Sequence, residues 1–146
     1  MKKWQLALAI LIIFSGGFFT GKYVFEEGAS REIRVGYQDS GRPDVINFEK
    51  VIKNTEDQAA VDNFMMIYMN KEEVAMTDVD LGKPDVFISI TSPKQFTGLI
   101  DSRIWFREDG GIIARRSGES WDEVEYFSIS VQDADYIKDK IEYKAN

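Results

Sequence analysis

The chain has no cysteine and no histidine among its 146 residues. Without cysteine there is no disulfide and no thiolate metal site, so the fold must rest on packing alone. Without histidine the chain lacks the usual general base near neutral pH and the commonest transition-metal ligand. Serine–histidine and cysteine–histidine nucleophile pairs are excluded outright. Positive charge is also scarce, with 18 basic residues against 25 acidic ones and a net charge of −7. Lys2, Lys3 and Lys22 fall in the first 25 residues, which hold no acid, so the rest has 15 basic against 25 acidic residues, a net −10. A domain this acidic does not bind nucleic acid through counterion release and does not adhere electrostatically to anionic headgroups.

What is present is apolar. Aromatic residues make up 13% and apolar residues 44% of the chain, enough to bury one core and to exclude disorder through low hydrophobicity. The longest apolar run follows Met1-Lys2-Lys3 directly. From Trp4 to Phe19 only Gln5, Ser15, Gly16 and Gly17 interrupt it, and Tyr23, Val24 and Phe25 extend it. Trp4 to Phe25 is 22 residues, close to the roughly 20 that cross a hydrocarbon core. Trp4 and Tyr23 stand near its two ends, where amphipathic rings favour the headgroup layer.

The run is therefore expected to be an uncleaved signal-anchor, one N-terminal transmembrane helix over residues 1–25. A cleaved signal peptide is the rival reading, with Ser15-Gly16-Gly17 as its nearest cleavage site, but those residues lie inside the apolar run. Residues 26–30 form a polar hinge and residues 31–146 the remaining domain. The flanks nearly tie in basic residues, Lys2 and Lys3 against Lys22, Arg31 and Arg34. The export-like start, and a following domain too long for its charges to count fully, favour a single-pass chain in the cell membrane with the C-terminal domain extracytoplasmic.

Within that domain, strand-like alternation runs over Arg31–Gln38, and Ile46, Phe48, Lys50 and Ile52 alternate within Val45–Lys53. Thr55 and Gln58 have the spacing of a capping box. After them Val61, Phe64, Met65 and Tyr68 recur at helical spacing. Met65, Met66 and Met69 suggest an adaptable surface, although packing into the core is the simpler reading. A short strand is expected near Glu73–Thr77, then strands over Asp85–Thr91, Ser102–Arg107, Gly111–Arg116 and Glu125–Ile129. Asp109-Gly110 between two of these is a strong hairpin signal. Ser130 opens a last helix with Ala134, Ile137, Lys138 and Ile141 on its inner stripe. The fold class is α+β: an antiparallel sheet with two helices packed on one face, preceded by the transmembrane helix.

Several short segments carry a resemblance: Phe48-x-x-Val51-Ile52, Lys83-Pro84-Asp85-Val86, Ile104-Trp105-Phe106, Asp109-Gly110-Gly111-Ile112-Ile113 and Tyr126-x-x-Ile129-Ser130. In this order they resemble small extracytoplasmic domains of membrane-anchored proteins and lipoproteins of Gram-positive bacteria. The resemblance implies a fold and a location but no activity, and the lipidated cysteine of the lipoproteins is missing here.

Candidate chemistry is sparse. Asp78, Asp80 and Asp85 around Gly82 form a fragment of a calcium loop without its terminal glutamate, and a solvated turn is the simpler account. Glu108 with Asp109, or Asp122 with Glu123 and Glu125, are the dense carboxylate clusters that an envelope hydrolase would need. Arg115 and Arg116 can fork an anion, but on a strand they face opposite ways. Trp105 opposes Ile104 and Phe106 across its strand, and Trp121 lies in a polar run. Lidding the sheet is the favoured role for both rings; the alternative is a partner contact made by Trp121, Trp105, Asp122 and Glu123. The expectation is a tethered, non-enzymatic binding domain with no catalytic or metal-ligating residue and no cofactor. Its partners would be the membrane, through Trp4–Phe25, and an envelope protein or cell-wall component. The carboxylate hydrolase and a calcium-responsive module are the alternatives.

Overall fold

The computed structural model describes residues 4–5, 10–17, 28–75 and 78–144. Residues 4–5 and 10–17 are helical, and the side chains of Ile10 to Phe14 are more than half exposed. Among the described residues no helix is long and apolar enough to cross a membrane. Much of the expected span, Trp4–Phe25, lies outside the described residues.

Beyond residue 28 the chain is α+β. Strands β1 (Glu32–Gln38), β2 (Ile46–Lys53), β3 (Glu72–Val74), β4 (Val86–Ser92), β5 (Thr97–Arg107), β6 (Gly110–Arg116) and β7 (Val124–Ile129) form one sheet. Their order is β2-β1-β4-β5-β6-β7-β3, and every neighbouring pair is antiparallel. Helices α1 (Gln58–Asn70) and α2 (Val131–Ile141) cover one face. The core lies between them and the sheet. Val61, Phe64 and Tyr68 of α1 and Ala134, Ile137 and Ile141 of α2 meet Ile33, Val35, Ile88, Ile90, Ile104 and Ile113 there. These are alternate residues of each strand, as a sheet with one face toward helices requires.

Ser102 is fully buried in this core. Its hydroxyl lies 2.6 Å from that of Tyr68 and donates to the Ile88 carbonyl at 3.1 Å, so α1 is tied to the two central strands by a polar chain. Burial drives the Tyr68 phenol far above its ordinary pKa.

Three local expectations are corrected. Asp57, not Thr55, caps α1; its carboxylate accepts from the Ala60 amide at 2.9 Å, and Gln58 bonds Asp62 instead. Met65 packs partly against the core, but Met66 and Met69 are exposed, because Ile67 and Phe64 already fill the inner stripe. In β2 the register shifts between Val35 and Gly36, leaving Glu49 without a partner. That bulge turns Ile46 and Phe48 to the face opposite Lys50 and Ile52, where Phe48 sits under the Arg34 guanidinium, 4.8 Å from its ring centre. Gly36 admits them, since a Cβ there would lie 2.7 Å from Ile46 Cγ2.

The β5–β6 turn is Glu108-Asp109, and the positive φ of +132° falls on Gly110. A Cβ on Gly110 would collide with the Ile129 carbonyl oxygen. Gly110→Ala is therefore expected to lower stability by about 2 kcal/mol or more through strain and clash, read as a fall in the urea midpoint. Tyr68→Phe, which strips one partner from buried Ser102, is expected to cost about 1–2 kcal/mol in the same assay.

Candidate functional site: the loop-covered outer face

The sheet face away from the helices is not left to solvent. Trp105, Ile112 and Ala114 are buried there beneath Val79, Leu81, Trp121, Val124 and Tyr126. The cover is made of two loops, residues 78–85 before β4 and residues 117–123 between β6 and β7. Each is fastened by side chains that rise from the strands. Trp105 Nε1 donates to the Lys83 carbonyl at 2.9 Å, and the Arg103 guanidinium donates to that of Leu81. The Asp85 carboxylate accepts the Phe106 amide at 2.6 Å and, from the helix side, the Tyr143 hydroxyl at 3.2 Å. Burial, and next to it the Asp85 charge, raise the Tyr143 phenol to about 12.

Arg103 is the centre of this cover. Its guanidinium stacks 3.8 Å from the Trp121 ring centre and 5.5 Å from that of Phe87. Among the described residues no carboxylate pairs with it within 4 Å, and its buried Nε has no hydrogen-bond partner. Burial lowers its pKa from the ordinary arginine value. The charge is held by ring faces rather than by an acid, the cation–π arrangement that arginine favours over aromatic side chains.

The four residues expected at a partner surface thus divide. Trp105 is 8% exposed and faces into the cover. Trp121 is half-buried on Arg103, while Asp122 and Glu123 beside it are exposed. The loop holds its own shape: the Ser117 amide and hydroxyl donate to the Glu123 carbonyl at 3.0 and 3.1 Å, and Ser120 bonds the Asp122 carboxylate at 3.0 Å. The outer surface of the loop therefore presents the half-buried indole beside two exposed carboxylates, that of Asp122 bonded to Ser120.

The carboxylates of the two other readings do not converge. Asp78 pairs with Arg107 at 2.9 Å, Asp80 bonds the Gly82 amide at 2.8 Å, and Asp85 is engaged as above. Among the described residues no three acidic side chains group to hold a metal ion. Of the two carboxylate clusters, Glu108 and Asp109 are both exposed in the β5–β6 turn, and Asp122 and Glu123 are exposed in the 117–123 loop while Glu125 is engaged by Arg115. Arg115 pairs with Glu125 on the helix face, and Arg116 pairs with Asp101 at 3.0 Å on the outer face.

A second concavity, an open cleft of about 600 Å³, lies where the end of α2 meets the first two strands. Tyr37, Asn47, Lys50, Glu142 and Lys144 line it, and Lys50 and Glu142 are joined across it at 2.6 Å. The sequence carries no sign of it, because the cleft joins strands β1 and β2 to the end of α2, nearly a hundred residues on, as in the Lys50–Glu142 pair.

Comparison with known protein families, curated proteins and solved structures finds no match for the chain.

Helix α1 is fixed to α2 at its first turn, where Lys140 reaches the Asp57 cap at 3.2 Å. Hydrogen bonds from the Ala60 amide and then Lys140 hold the Asp57 carboxyl below its ordinary pKa. A depressed carboxylate stabilises the fold above the unfolded pKa near 3.8 and loses that contribution as pH falls through the lower folded value. Asp57→Asn is expected to flatten the loss of stability below about pH 4, as measured by urea denaturation across an acid series.

Proposed function

We propose that the chain is a membrane-tethered extracytoplasmic domain that binds an envelope protein or cell-wall component without catalysing a reaction. The observation that carries this reading is the joining of a 22-residue, largely apolar run, Trp4–Phe25, to a separately cored α+β domain through the five-residue hinge Glu-Glu-Gly-Ala-Ser. Supporting it, the domain receives the chain at a fixed point. Asn54 Oδ1 accepts both the Ser30 and Arg31 amides, at 2.9 and 3.1 Å, and so clamps the last hinge residue to the end of β2. The similarity of its short motifs to Gram-positive membrane-anchored domains points to the same placement.

The contact is assigned to the 117–123 loop. An indole seated on a guanidinium is a rigid platform, and rigid aromatic anchors bind at low entropic cost. Exposed Asp122 and Glu123 would select a partner with basic groups around an apolar notch.

Two measurements test the proposal. In washed intact cells, added protease is expected to remove the domain from the anchor; complete protection would place the domain on the other side of the membrane. Trp121→Ala is expected to lower recovery of the crosslinked partner about tenfold or more, as loss of a hot-spot aromatic does, with an unchanged far-ultraviolet spectrum. Full recovery with the variant would remove this loop as the contact.

A further inference from the structure

At the end of the sheet where the chain arrives from the hinge, the β4–β5 connection projects past its neighbours. Glu32, the first residue of β1, is opposite Thr91, so the turn Pro93–Gln95 and Phe96 extend beyond the point at which the chain joins the sheet. Pro93 and the hinge residues Gly28 and Ala29 line a common hollow. Leu99, the extra residue of a bulge between Ile90 and Thr91, shares another with Ser30 and Arg31 and is 43% exposed.

Phe96 itself is 97% exposed and has φ +51°, in the left-handed region. A bulky aromatic there is disfavoured by its own backbone, and glycine or asparagine would close the same turn without strain. No packing inside the domain compensates for it.

Charge does not set the whole end apart: the 117–123 loop leaves β6 on this side, so Arg31, Lys53 and Lys94 stand there with Glu32, Glu56, Asp57, Glu119, Asp122 and Glu123. The projecting tip alone differs, since Pro93–Thr97 holds Lys94 and no acid, and it is the part that an anionic surface does not repel. The hinge limits the distance as well: from Phe25 to Arg31 an extended chain spans at most about 20 Å.

From these observations we infer that the Pro93–Thr97 tip is a membrane-contact finger. It seats Phe96 in the headgroup layer of the bilayer that holds the N-terminal run, with Lys94 reaching the phosphates beside it. The inference rests on the tether reading above. Its chemistry is apolar insertion by one aromatic, as in interfacial segments that carry Phe or Leu opposite Lys. It does not depend on attraction between a basic surface and anionic lipid.

Because the chain has no cysteine, one introduced thiol reports alone. The full chain carrying Gln95→Cys, labelled with a polarity-sensitive fluorophore, is reconstituted into vesicles of phosphatidylethanolamine and phosphatidylglycerol. Its emission is expected to be blue-shifted relative to a Glu108→Cys label at the far end, quenched by nitroxide-bearing lipid, and unchanged by high salt. Adding Phe96→Asp to the Gln95→Cys chain should abolish both the shift and the quenching while the protein still floats with the vesicles.

A chain that floats but keeps its Gln95→Cys label in water overturns the finger and leaves the tether standing. A blue shift that nitroxide lipid does not quench signals protein contact and overturns it as well. A chain that fails to float removes the tether, and the finger falls with it.

Discussion

Everything in this domain depends on burying both faces of one sheet with only two helices. Strand β4 makes the constraint plain: Val86, Ile88 and Ile90 face the helices while Phe87, on the other side, is also buried. A central strand apolar on both faces needs a second layer. Helices provide it in α/β folds, but here it is provided by the loops 78–85 and 117–123. Loops bring backbone groups that must be satisfied, and this one is met by side chains rising from β5. Trp105 and Arg103 each combine an apolar body under the cover with a donor for a loop carbonyl. The residues that make the outer face dry are also those that hold its lid in place.

This double use ties the fold to the candidate site. Trp121 packs both on the outer-face cluster and on Arg103, whose guanidinium meets ring faces and, among the described residues, no acid within 4 Å. An acidic partner for Arg103 would release the indole, and removing the indole would leave a half-desolvated cation. The loop is thus a consequence of how the sheet is closed rather than an appendage to it. Asp85 links the two layers, since its one carboxylate takes an amide from β5 and the hydroxyl of Tyr143 beyond α2.

The alternation of apolar residues made most strands legible, along with both helices, the β5–β6 hairpin and the α+β class. What escaped had no local signature. The first half of β5, Thr97–Asp101, reads Thr-Gly-Leu-Ile-Asp, whose alternation is broken by the bulge at Leu99. The shift in β2 is invisible because Ile46, Phe48, Lys50 and Ile52 alternate without a break. The only hint is in another strand, where Gly36 leaves room for the side chains that cross over. Thr55 and Asp57 both suit a cap, and the turn geometry that chooses between them is tertiary. The contacts of Trp105 with Lys83 and of Arg103 with Leu81 each span 22 residues, a separation at which no sequence pattern operates.

The bulge at Glu49 has one more effect, on the rim of the sheet. The two outermost strands, β2 and β3, each offer a row of unpaired amides and carbonyls that a second chain could extend. In β2 the irregular residue breaks that row midway, with Lys50 and Lys53 beyond it. The other rim is three residues long and begins Glu72-Glu73. Molecules confined to a plane collide edge-on far more often than those free in solution, and both rims are poor templates for strand exchange. Were the domain tethered as proposed, crowding on the membrane would bring copies side by side without zipping their sheets together.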